Sequence, residues 1–131
     1  YNHQFVIENM VYQMYNGKSS IKLGDPTPIR DFVFEPDLLA AYQLAAESYN
    51  KKIIGESINI GTGKSISIKQ LAEKIRKITG YKGKIKWNSF PKRALEIPKL
   101  EVDNLKAKKL LKWKPKYTLD QGLKITASYY L

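Results

Sequence analysis

Cysteine is absent from this chain of 131 residues. No disulfide framework and no thiolate metal centre can form, which suits a cytoplasmic protein. His3 is the only histidine, so a histidine-based triad or metal cluster is excluded, and no metal site is expected. Arginine is scarce, limited to Arg30, Arg76 and Arg93, so lysine carries nearly all of the net charge of +11. Base readers and phosphate clamps favour the arginine fork, so dispersed lysine is a poor composition for a nucleic-acid reader. No apolar run approaches the roughly 20 residues of a membrane span, and no membrane partner is expected. The opening YNHQFVIENM has no basic n-region, apolar h-region or cleavage site, and no initiator Met; a fragment is expected.

What remains is one domain's worth of chain, residues 1–131, with an ordinary apolar fraction and enough length to bury a core. Residues 4–15 place Phe5, Val6, Met10, Val11 and Met14 on one helical stripe, stopped at Gly17. SSIKLG (19–24) predicts a short strand, GDPTP a loop, and RDFVF (30–34) another strand. A second helix starts at Glu35-Pro36-Asp37, with Leu38, Leu39, Tyr42, Ala45, Ala46 and Tyr49 as its predicted buried face. ESINIG (56–61) reads as a strand. A helix over 67–79 is opened by a Ser67–Gln70 capping box and closed by Gly80. KIKWN (84–88) is a strand, and SFPKRALEIPKLEVD is irregular. Asp103 caps a short helix to Leu111, and Thr118 with Gln121 opens a last helix to Tyr130. Alternating strands and helices give an α/β class, α+β if isolated, with a small mixed sheet and flanking helices.

The letters GTGKS at 61–65 invite a P-loop reading. The pattern G-x-x-x-x-G-K-[ST] needs its first glycine at position 58, which is Ile58. Without it the loop cannot wrap its N–H groups round a phosphate chain. No G-x-G-x-x-G follows a strand either.

Three constellations could carry chemistry. Arg30-Asp31-Phe32 follows the GDPTP loop; its Arg can aim at an anion, or pair with Asp31 to hold the turn. Lys92-Arg93 with Glu96 sits between prolines; it can hold a phosphate and a ribose hydroxyl, or be a solvated loop. Asn59-Ile60-Gly61-Thr62-Gly63 can bring backbone close to a ligand, or be a tight turn that needs positive φ. Asp25, Asp31, Glu35 and Asp37 lie close in sequence and could hold a cation, though not at EF-hand spacing. The run KAKKLLKWKPK (106–116) alternates solvated lysines with apolar Leu110, Leu111 and Trp113.

The order of these blocks carries a resemblance. GDPTPIRDFVFEPDLLAAY (24–42), INIGTGKSISIKQLAEKI (58–75), R-x-x-E-I-P-x-L-x-x-D-x-x-K-A-K-x-L-L-x-W-K-P (93–115) and YTLDQGL (117–123) resemble the C-terminal part of the NAD-dependent nucleotide-sugar epimerases and dehydratases, extended short-chain dehydrogenases/reductases. The likeness runs from about Phe5 to Tyr130. The R-x-x-E block is closer to GDP-mannose 4,6-dehydratases than to epimerases of the UDP-glucose 4-epimerase kind, and the first block is general to the family, so the sugar and base stay open. Ala94 stands where Pro usually follows the Arg, Lys112 where Gly is common, and Glu35-Pro36 where Val and an acid are usual.

The resemblance implies that Arg30 and Arg93 bind a pyrophosphate, that Glu96 holds a ribose hydroxyl, that Lys22 and Leu23 run beside the base, and that Asn59 lies near the substrate. It makes the GTG stretch a structural turn. It places the glycine-rich NAD(P) loop and the Tyr-x-x-x-Lys acid/base pair in an N-terminal Rossmann half. No tyrosine in this chain is followed four residues later by lysine. Hence no catalytic residue is expected here, no cofactor is expected on this chain alone, and the partners expected are a nucleotide sugar, the missing Rossmann half and, as an open question, a second copy. A second class of function, a basic non-catalytic module binding nucleic acid, would be recognised by steep salt dependence.

Overall fold

A computed structural model describes residues 5–17, 19–92 and 94–130. Helix α1 spans Val6–Tyr15 and buries Met10, Val11 and Met14 of its predicted stripe, while Phe5 and Val6 at its start are exposed. Strand β1 (Ser20–Lys22) pairs in parallel with β4 (Lys84–Lys86), Ile21 opposite Ile85. Strand β2 (Ile29–Asp31) is the centre of a second, mixed sheet, antiparallel to β3 (Ser65–Ser67) and parallel to β5 (Lys99–Leu100). Helix α3 (Ile68–Thr79) packs between α1 and α5 (Leu119–Ser128). Leu71, Ala72 and Ile75 meet Met10, Val11, Ile21 and Leu123 in the main core. Fully burying a residue such as Leu71 stabilises by about 2 kcal/mol. A second cluster forms where α2 (Glu35–Ala46) meets α4 (Leu105–Leu111): Ala41, Ala107, Leu111 and Trp113.

The local signals at helix ends are realised. Ser67 Oγ accepts from Gln70 N–H at 3.1 Å while Ser67 N–H donates to Gln70 Oε1 at 2.8 Å. Gly80 closes α3 with φ of 68°. The Thr118–Gln121 box opens α5 in the same way. At α4 the cap is displaced by one residue. Asn104 is the N-cap, and Asp103 Oδ1 accepts from Leu105 N–H at 2.9 Å.

Three further expectations fail. Residues 56–61 form no strand. Ile58 and Ile60 instead pack on the Ala41–Trp113 cluster, so their alternation reflects side-chain burial without a ladder. The predicted inner face of α2 is rotated: Leu39, Tyr42 and Tyr49 are exposed, and Asp37 and Ala41 are buried. The cause is Asp37, whose carboxylate is drawn inward by the N–H groups of Lys116 (2.9 Å) and Tyr117 (3.0 Å). The segment read as irregular contains β5, because Ile29 N–H reaches Pro98 O at 2.8 Å and extends the β2 edge.

Among the described residues no helix is long and apolar enough to cross a membrane.

Candidate nucleotide-sugar site

The ends of β1 and β2, the loop between them and the segment beginning at Phe90 enclose a cavity of about 860 Å³. Lys22, Leu23, Arg30 and Glu96 all line it, joined by Asp25 and Lys92. Arg93 lies outside the described residues. Asn59 is exposed and is not part of the cavity wall.

Arg30 is placed by β2 and Glu96 by the chain just before β5, 66 residues further on. Arg30 Nη2 donates to Glu96 Oε1, and Nη1 turns back to the Ile29 carbonyl at 2.7 Å. Both side chains are largely shielded, at 21% and 30% exposure. The alternative reading of Arg30 as the partner of Asp31 is therefore corrected. Asp31 instead grips the GTG turn, accepting from Gly63 N–H at 2.8 Å, from Thr62 N–H at 3.1 Å and from the Thr62 hydroxyl. The turn needs its glycines: Gly63 has φ of 71°, and a Cβ on Gly61 would lie 2.5 Å from Val102 Cβ. Two of its N–H groups being committed to Asp31, they are not free for a phosphate chain.

A second ion pair crosses the cavity wall, Lys92 Nζ to Asp25 Oδ2 at 3.1 Å. Asp25 is fixed first by its own turn, accepting from the Thr27 hydroxyl at 2.7 Å and the Thr27 N–H at 2.9 Å. These bonds, with Lys92 adding to them, hold its carboxyl down at about 2. The acids Asp25, Asp31 and Asp37 thus serve three separate contacts. Among the described residues no group of three or more His, Cys, Asp or Glu could hold a metal ion.

The wall formed by Lys22 and Leu23 is more committed than the sequence suggests. Leu23 N–H donates to Lys86 O at 2.9 Å, and Leu23 O accepts from Ser89 N–H at 3.0 Å. On the other edge, Gln13 engages Lys22 with both ends of its amide, each at 3.3 Å. Neither Gln13 nor the Lys92–Asp25 pair was legible beforehand. The Gln13 contact spans only nine residues, whereas the Lys92–Asp25 pair joins segments far apart in sequence, and only the density of charge around 92–96 hinted at it.

Residues 2–126 match the family model described as GDP-mannose 4,6 dehydratase. The chain belongs to this family. It is 28% identical over 131 residues to the probable GDP-L-fucose synthase 1 of Oryza sativa subsp. japonica, covering 96% of this chain and 38% of that protein. It is 33% identical over 119 residues to a putative UDP-glucose 4-epimerase of Methanocaldococcus jannaschii, covering 91% and 36%. Its fold superposes on the UDP-glucose 4-epimerase of Thermotoga maritima, solved with UDP-glucose, with a TM-score of 0.87 and 33% identity, over 99% of this chain and 40% of that one. The UDP-glucuronic acid 4-epimerase of Bacillus cereus, solved with UDP-glucuronic acid and NAD, gives a TM-score of 0.84 at 29% identity, over 97% and 40%. The chain therefore spans little more than a third of the curated relatives named here. The relatives named include epimerases and a fucose synthase alike, so the likeness does not single out one sugar.

Proposed function

We propose that this chain is the nucleotide-sugar-binding part of an epimerase or 4,6-dehydratase whose Rossmann half lies in a longer protein. One observation supports the reading above others: Arg30 and Glu96, remote in sequence, meet in the wall of the large cavity of a chain from this family. A pyrophosphate carries about two negative charges, and a guanidinium meets it with charge-assisted bonds worth roughly 1.5–3 kcal/mol each. Arg93 is the second such donor on the resemblance. Glu96 accepts from ribose hydroxyls, an arrangement familiar in nucleotide sites. Lys22 and Leu23 wall the base. For Asn59 the resemblance is the only support.

The cofactor of the longer protein is NAD(P), which takes and returns a hydride. No G-x-G-x-x-G turn for a dinucleotide follows a strand in this sequence. The N-terminus of α3 is closed by its own capping box and by the carbonyls of Pro26 and Pro28, which accept from Lys69 and Ile68. With neither that cofactor turn nor the acid/base pair, this chain's part is to bind and orient.

The chain alone is then expected to bind UDP- or GDP-sugars and to leave NAD(P) and nucleotide sugars unchanged over long incubation. Epimerase or dehydratase turnover by the isolated chain would overturn the division of labour.

A further inference from the structure

Arg30, which lines the cavity, already has a charged partner there. Arg30 spends one end of its fork on Glu96 and turns another nitrogen to its neighbour's carbonyl. Lys92, the other cavity cation with a charged partner, is held by Asp25. An anion arriving at Arg30 must therefore displace a carboxylate or share the guanidinium with it. Sharing brings about two negative charges beside Glu96 in a site only partly open to water, where like charges repel more strongly than in bulk. Displacement strands a half-buried carboxylate, which is costly unless a new donor reaches it. At neutral pH a bare polyphosphate offers only the proton of its own phosphate, on a more highly charged anion, and no neutral hydroxyl. A ligand that carries hydroxyls beside its phosphates offers one.

We propose that Glu96 is a selectivity residue acting through Arg30: as the resting counter-ion of that guanidinium, it rejects bare polyphosphates and admits those that carry a hydroxyl donor next to the anion. This rests on the nucleotide-sugar reading above for the identity of the ligand, and goes beyond it in assigning the Arg30–Glu96 pair itself a function. The alternative, a pair that only braces β2 against the chain entering β5, makes no demand on ligand choice.

The test is calorimetric binding of inorganic pyrophosphate and of UDP and GDP to the full-length protein, with Glu96→Gln and, as a control for net charge, Glu101→Gln. Glu101 pairs with Lys99 and Ser65 away from the cavity wall. Glu96→Gln keeps the size and a hydrogen-bond acceptor, and thermal melting checks that the fold persists. Glu96→Gln is expected to tighten pyrophosphate by about three- to tenfold. The preference for the nucleoside diphosphate over pyrophosphate falls by at least as much, and Glu101→Gln leaves both unchanged. A preference unchanged in Glu96→Gln, or changed equally by Glu101→Gln, overturns the proposal while leaving nucleotide binding intact. Absence of UDP and GDP binding in the unmodified protein would instead sink the nucleotide-sugar reading; a pyrophosphate gain confined to Glu96→Gln would still support the role of Glu96 as the counter-ion of Arg30.

Discussion

Trp113 and Asp37 stand 76 residues apart, and the Trp113 indole N–H donates to the Asp37 main-chain carbonyl at 2.8 Å. The same aspartate, 2% exposed, accepts two backbone N–H groups beyond Trp113 with its carboxylate. It thus fastens the start of α2 to the chain that leads into α5. Asp37→Ala would leave the Lys116 and Tyr117 donors without their partner, and a loss of about 2–4 kcal/mol is expected. Urea unfolding measures it; a loss below about 0.5 kcal/mol would show that the clamp is idle.

Helix α4 ends on Lys112 at φ 54°, ψ 21°, the left-handed region. A β-carbon there costs roughly 1–2 kcal/mol against glycine. Lys112→Gly is therefore expected to stabilise by about 1 kcal/mol, the gain being reduced by the greater freedom of glycine in the unfolded chain. Denaturant midpoints of the two proteins decide it, and a destabilised variant would mean that the lysine side chain contributes contacts of its own.

Asp25 has a folded carboxyl near 2 against 3.8 unperturbed, with the Thr27 hydroxyl as the largest cause. A depressed carboxyl contributes stability fully present above the unfolded value and lost as pH falls through the folded one. Its contribution should therefore fade between about pH 4 and pH 2. In Thr27→Val the Asp25 carboxyl should titrate higher, towards its ordinary range. Carbon-detected NMR titration of the aspartates reads this directly, and an unmoved Asp25 would assign the depression to the retained backbone N–H of residue 27 and to Lys92 instead.

Leu39 and Tyr42 share one face of α2 and are 56% and 67% exposed, with Tyr49 fully exposed beyond its end. Such a surface favours association, and the net charge of +11 opposes it. Sedimentation of the isolated chain across a salt series should show apparent mass rising as repulsion is screened. A monomer at every salt and at high concentration would tell against an apolar docking face. Mass falling with salt would point to bridging polyanions.

How far the sequence could be read is decided by range. The capping boxes at Ser67 and Thr118 and the glycine stop at Gly80 are local, and each is found where the pattern places it; the stripe of α1 holds for Met10, Val11 and Met14 but not for Phe5 and Val6. The α2 face was misjudged because one buried acid, Asp37, outweighs a run of apolar positions, and its partners lie some 80 residues away. Ile58 and Ile60 alternate like a strand yet pack without one, since a strand needs a neighbour as well as a pattern. Within the site, Arg30 and Glu96 were legible singly. Their pairing was not, because nothing in either block specifies that β5 lies beside β2.

The central claim is that Arg30 receives the pyrophosphate of a nucleotide sugar. The direct measurement is calorimetric affinity for UDP, GDP and their sugars in the full-length protein, compared with Arg30→Ala and Arg30→Lys. A loss of about 1.5–3 kcal/mol is expected for Arg30→Ala. Only partial recovery is expected for Arg30→Lys, since a point charge cannot replace a planar fork. Nucleoside diphosphate affinity unchanged in Arg30→Ala would contradict the account.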